Sequence, residues 1–115
     1  MFRYNNILEL ENLLINCQYL DGLYIMISSD EYDDFFRVLA KSSPVGLFKF
    51  KFRYHYNVIK LESLKLFFDN WKGKHPMSLQ LNSINNVEDF VEKYKTEGIV
   101  NKFKNYIFGN KFEWI

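Results

Sequence analysis

The chain has one cysteine, Cys17, so no disulfide can form within it. That suits a reducing intracellular compartment, cytoplasm or nucleus. No stretch approaches the ~20 apolar residues that a membrane-crossing helix needs. The first apolar run is broken by Glu9, Glu11 and Asn12, which excludes a secretory signal there. Glycine is sparse: Gly46, Gly73, Gly98 and Gly109 stand isolated and build no phosphate-cradling loop. Charge of one sign is not in excess, with 15 Lys and Arg against 14 Asp and Glu and a net charge of +1. A domain that holds nucleic acid by bulk charge is strongly basic, so nucleic acid is not the expected partner and any basic surface must be local. The two histidines, His55 and His75, have no cysteine or carboxylate at ligand spacing, so no metal site is expected. Ser42 and Ser43 read as a helix stop rather than as nucleophiles, and no nucleophile–base–acid set can be named. Neither an enzyme nor a cofactor is expected.

Aromatic residues are abundant: 12 Phe, 8 Tyr and 2 Trp within a hydrophobic fraction of 48%. Such content excludes a disordered chain. The length of 115 residues fits one domain, 1–115, able to bury a core of its own.

Leu10, Leu13, Leu14 and Cys17 fall at i, i+3, i+4 and i+7, which predicts a helix over Ile7–Asn16. At this position Cys17 reads as a small core hydrophobe rather than a reactive thiol. The apolar run Gly22–Ile27, bounded by turn residues, predicts a buried strand. Ser28, Ser29 and Asp30 offer capping oxygens for a second helix, with Tyr32, Phe35, Phe36 and Leu39 on one face and a stop at Pro44. Leu47–Tyr54 alternates, with Phe48, Phe50, Phe52 and Tyr54 against Lys49, Lys51 and Arg53, and predicts a strand with one buried face. Further strands are expected at Ser63–Phe68, Ser78–Asn82 and Asn105–Phe108. Between the last two, Asn86 caps a helix carrying Val87, Phe90, Val91 and Tyr94. Gly98 suits its left-handed end, with Ile99 packing back on Tyr94.

The pattern apolar-x-x-apolar-x-apolar recurs. It reads Leu20, Leu23, Ile25, then Val45, Phe48, Phe50, then Leu61, Leu64, Leu66, with weaker copies at Pro76, Leu79, Leu81 and Phe103, Tyr106, Phe108. From 20 to 45, 61, 76 and 103 the steps are 25, 16, 15 and 27 residues. A leucine-rich repeat runs about 20–29 residues with the triplet as its strand, so two steps fit and two are short. The expected fold is α/β: a short leucine-rich-repeat-like solenoid, its sheet mainly parallel and its helices on one side. An ordinary α/β domain with a few alternating strands would share much of this pattern.

Leu10-x-x-Leu13-x-x-x-Cys17-x-x-Leu20-x-x-Leu23-x-Ile25 resembles the cysteine-containing leucine-rich repeat of F-box proteins. Ala40–Pro44 leading into Leu47–Phe50, the stretch Lys60–Trp71 and the ending Phe112–Ile115 look like the C-terminal region of a large fungal F-box/leucine-rich-repeat family. The resemblance implies a substrate receptor of a cullin-type ubiquitin ligase, in which an F-box docks on the ligase adaptor and the repeats hold the target. The chain departs from that pattern in having too little sequence before its first triplet for an F-box. Docking on the adaptor is expected only if an F-box lies upstream, with this chain as the C-terminal part of a longer array. Cut mid-array, the isolated chain is expected to be marginal and to associate.

In such an array the residues between the buried triplet positions face outward. That register places Tyr24 and Met26, Lys49 and Lys51, Lys65 and Phe67, Gln80 and Asn82, and Ile107 on the open sheet face. The expectation is a protein partner, with Lys49, Lys51 and Lys65 together on one exposed face favouring an acidic one. The lysines could equally serve only to keep an open sheet soluble. A second expectation is a small stand-alone domain that binds RNA or another acidic ligand through Lys49, Lys51, Arg53 and Lys65. Lys72, Lys74 and His75 beside Trp71 read as a charged loop rather than a stacking platform for bases.

Overall fold

The computed structural model describes residues 2–27, 32–54, 59–81 and 87–105. Asn6 opens the first helix: its Oδ1 accepts the Glu9 amide at 3.0 Å, and α1 (Ile7–Asn16) buries Leu10 and Leu14. Before it lies β1 (Phe2–Tyr4), a strand too short to carry a period. The remaining elements are β2 (Gly22–Ile27), α2 (Tyr32–Ser42), β3 (Lys49–Tyr54), α3 (Leu61–Asn70), β4 (Met77–Leu81), α4 (Val87–Thr96) and β5 (Val100–Asn105). Strands and helices alternate throughout, and all five strands pair parallel in chain order, β1-β2-β3-β4-β5. A parallel pair needs a crossover of a dozen or more residues, and each helix supplies one. The chain is therefore α/β, with a five-stranded parallel sheet and four helices among the described residues.

Phe2, Ile25, Phe52, Leu81 and Asn105 stand beside one another across the sheet. From 2 to 25, 52, 81 and 105 the steps are 23, 27, 29 and 24 residues.

One sheet face carries the core. Leu23, Ile25 and Ile27, Phe50 and Phe52, and Leu79 and Leu81 join a single cluster with the buried residues of all four helices. The helices pack on one another in order, α1 on α2, α2 on α3 and α3 on α4. Aromatic rings run through this layer as a chain. Tyr4 meets Phe35 at 4.8 Å, Phe36 stacks on Phe67 at 4.9 Å, and Phe68 meets Tyr94 at 4.9 Å. Such pairs add ~0.5–1.5 kcal/mol each beyond their burial.

The strand expected at Ser63–Phe68 is instead part of α3. Leu64, Phe67, Phe68 and Trp71 sit at i, i+3, i+4 and i+7, and all are buried. A strand here would turn adjacent Phe67 and Phe68 to opposite faces and leave one ring outside the core; a helix buries both. The connection from β3 to β4 thereby gains a full crossover helix, and the two short triplet steps disappear.

Two further corrections concern the ends. β1 was not anticipated, and the last strand begins at Val100, earlier than expected. Residues 106–108 of the expected strand, and the capping roles assigned to Ser28, Ser29, Asp30 and Asn86, lie outside the described residues. Helix α4 ends as anticipated: Gly98 has φ +79°, the Ile99 amide donates to Tyr94 O at 3.0 Å, and the Gly98 amide donates to Lys95 O at 3.1 Å. Cys17 is half-buried at the end of α1, where its amide donates to Leu13 O at 3.0 Å.

Candidate sheet-face interface

The five strands contain six charged residues, Arg3, Lys49, Lys51, Arg53, Lys102 and Lys104, and every one is basic. None of the chain's 14 acidic residues lies in a described strand, although the whole chain carries only +1. Strand register places all six on the face turned away from the core. Lys49, Ser78 and Lys102 form one row, Lys51, Gln80 and Lys104 the next, and Arg3, Met26 and Arg53 a third. Two inter-strand steps separate β3 from β5, about 10 Å, and alternate residues of one strand stand about 7 Å apart. The lysine pairs of β3 and β5 thus flank a neutral polar strip, Ser78 and Gln80.

The β5 lysines reach this face through a bulge. Met77 stands opposite Val100, but Ser78 stands opposite Lys102, so Asn101 is an extra residue. Val100 is buried at 2% exposure and Phe103 packs against the core. Without the extra residue, Lys102 and Lys104 would take core positions, because a one-residue slip inverts every side chain.

The expected interface residues divide. Tyr24, Met26, Lys49, Lys51 and Gln80 are brought together on the outer face; Tyr24 and Lys49 are half-buried and Met26 is buried. Lys51 and Gln80 are each 2% exposed, so the centre of the face is closed rather than open. The Lys51 ammonium lies 5.0 Å from the Tyr24 ring. Lys65 and Phe67 do not join them. Lys65 stands on the solvent side of α3, paired with Asp69 at 2.7 Å, and Phe67 is fully buried in the core. The helical period of α3 takes both off the sheet, so the expectation that Lys49, Lys51 and Lys65 share a face is corrected. Asn82 and Ile107 lie outside the described residues.

Sequence reasoning missed Arg3, Lys102 and Lys104. A signal was present: Lys102-Phe103-Lys104 repeats Lys49-Phe50-Lys51, a core ring between two outward lysines.

Away from the sheet, Tyr94 donates to Asp69 Oδ1 at 3.2 Å, joining α4 to the Lys65–Asp69 pair on α3. The hydrogen bond from Lys65 holds the Asp69 carboxyl below its ordinary range, against a smaller opposing effect of burial. Burial and the Asp69 charge push the Tyr94 phenol up. Ser63 likewise links α3 to α2, donating to Asp33 Oδ1 at 2.7 Å. These contacts fasten helices to one another.

Trp71 is 1% exposed, with its indole N–H donated to His75 O at 2.8 Å and Lys74 over its ring at 5.3 Å. It offers no face for a base to stack on. Beside it Ser43, Pro44, Val45, Leu47 and His75 line a cleft of about 280 Å³. Among the described residues no group of three or more His, Cys, Asp and Glu could hold a metal ion, and no helix is long and apolar enough to cross a membrane. No family model, no curated protein and no solved structure matches the chain.

Proposed function

We propose that the chain is a non-catalytic protein-interaction module of leucine-rich-repeat type, which holds its partner through the accessible basic residues at the rim of the sheet face turned away from the helices, Lys49, Lys102 and Lys104. The observation that carries this reading is the unit of one strand and one helix, repeated in parallel with steps of 23, 27, 29 and 24 residues. Those steps fall in the ~20–29-residue range of such repeats. Each unit has an apolar side that it cannot bury alone and that its neighbour covers, the physical basis of a solenoid. The cysteine-containing motif through Cys17 supports the likeness to F-box/leucine-rich-repeat proteins. On that likeness the target-holding role belongs to this chain and ligase docking to an F-box upstream.

The test compares affinity-purified partner sets. The full chain, a sheet-face variant (Lys49→Glu with Lys102→Glu) and a helix-face variant (Lys65→Glu) are purified from cells under identical conditions. Partners kept by the helix-face variant and lost by the sheet-face variant are the expected result. Loss confined to the helix-face variant overturns the choice of face. The ligase adaptor among the proteins recovered with the native protein would support the F-box connection; its absence there would count against it.

A further inference from the structure

Two turns at one end of the molecule, where α2 returns to β3 and α3 returns to β4, stand on either side of the cleft beside Trp71. From their geometry we infer that this cleft is a second binding site, which takes one bulky apolar side chain of a protein partner with an acidic residue beside it. The site lies at the loop end of the molecule, and its test does not depend on the rim lysines of β5. Both lips are closed turns. The Leu47 amide donates to Pro44 O at 3.0 Å, with Val45 at the tip. The Lys74 amide donates to Trp71 O at 3.2 Å, and Gly73 takes the φ of +85° that this turn needs. The Trp71 indole N–H, donated to His75 O at 2.8 Å, pins the second lip to the core. The His75 ring lies 4.5 Å from that of Phe48. Leu47 and Trp71, each 1% exposed, form a fixed floor. A site built in advance loses little freedom on binding.

Apolar surface gathers at the mouth. Val45 is 98% exposed at the tip of the first turn. That turn lies against the loop before β2: a Cβ on Gly46 would stand 3.8 Å from Leu20 O. The contact brings Tyr19, 101% exposed, to the same end of the molecule. A single exposed valine needs no explanation, but exposed apolar residues beside an apolar cleft mark an interaction site. The cleft of about 280 Å³ falls just below the ~300–1,000 Å³ of pockets that hold whole small molecules. It suits one inserted side chain, the anchor around which protein interfaces are organised. Lys74 is the one charged residue in the lining and no acid joins it, which favours an acidic neighbour to the anchor. The cleft on the far side of the Trp71–Lys74 turn differs: Glu97 lines it with Lys72 and Lys74, so its charges are mixed.

An NMR titration of the full chain, followed at the backbone amides and the Trp71 indole N–H, tests this. The probe is a short synthetic peptide with Phe-Glu between Gly-Ser flanks. One anchor and one ion pair give weak binding, roughly millimolar, which the titration reads directly. Saturable shifts should centre on Val45, Leu47, Lys74, His75 and the Trp71 indole. A peptide with Ala in place of Phe should bind about tenfold more weakly or worse, the loss of one buried ring. Lys74→Glu should weaken the Phe-Glu peptide about two- to fivefold, as an exposed ion pair does. Val45→Glu should weaken it several-fold by setting a like charge on the lip. Lys65→Glu, on the solvent side of α3, should leave it unchanged. Val45 and Lys74 are exposed, and the comparison of Phe with Ala peptides needs no variant, so it decides even if a variant fails to fold. Equal binding of the two peptides, shifts centred elsewhere, or no saturable shifts would overturn the inference. If the same resonances move when the protein alone is concentrated, a second copy fills the cleft and the assignment of a separate partner falls.

Discussion

Phe67 and Lys65 stand two residues apart with opposite fates, one sealed in an aromatic cluster and one on the helix surface. Removing the Phe67 ring leaves a cavity among Phe36, Phe50 and Trp71. Phe67→Ala should therefore cost about 3–5 kcal/mol in urea unfolding. Lys65→Ala should stay within ~0.5 kcal/mol, as an exposed ion pair does. Equal costs at the two positions would contradict the helical register. Tyr94→Phe removes the hydroxyl that donates to Asp69 and should cost about 0.5–1.5 kcal/mol. The Asp69 carboxyl is lowered from 3.8 in the folded state. Its stabilisation is therefore present above the unfolded value and is lost as pH falls through the folded one. The melting difference between the parent and Asp69→Asn should be constant near neutrality and shrink below about pH 4. A difference that instead grew on acidification would show that the carboxylate is not the favoured partner of Lys65 and Tyr94.

Among the elements, α4 and β5 show how a local signal sets a global register. The left-handed Gly98 ends α4 and returns Ile99 to the core at 6% exposure. Gly98→Ala meets no steric neighbour but must hold φ +79°, which costs about 1–2 kcal/mol for a residue with a Cβ. Asn101 then rephases β5. Deleting Asn101 should abolish cooperative melting, because it forces a choice between burying Lys102 and Lys104 and exposing Phe103. Retention of a native-like melt by the deletion would refute the bulge as the device that aims these lysines. Helices α1 and α2 and strand β2 were legible in advance because each carries its own period and its own stop. Strand β1 was not, since three residues cannot show a period. At helix α3 two patterns compete: Leu61, Leu64 and Leu66 imitate a strand triplet, while Leu64, Phe67, Phe68 and Trp71 carry the stronger helical period.

At the level of the whole molecule, parallel pairing in chain order makes β2, β3 and β4 interior strands and leaves β1 at an edge. Amide hydrogen exchange should accordingly be slowest in β3, which has a paired neighbour on both sides and Phe50 and Phe52 at 0% exposure. It should be fastest among the strands in β1. Protection of β1 equal to that of β3 would show that something covers the β1 edge in solution. On α1, Leu8 and Ile15 are 68% and 56% exposed. With the short β1 edge beside them, they favour association of the isolated chain, which sedimentation over a concentration series would reveal. A sharp monomeric melt well above ~65 °C, beyond the usual mesophile range, would argue against that behaviour.

The sequence by itself determined where most helices and strands form, because the 3.6- and 2-residue periods of apolar side chains are local quantities. It also determined which lysines alternate with core rings, in Lys49-Phe50-Lys51 and again in Lys102-Phe103-Lys104. Only the tertiary structure decided which of those lysines share a face. Strand order, parallel register and the Asn101 bulge together bring β3 and β5 to either side of β4. Register couples residues more than 50 positions apart, such as Lys49 and Lys102. No local period carries that information, because it arises only when every strand buries the same side against one helix layer.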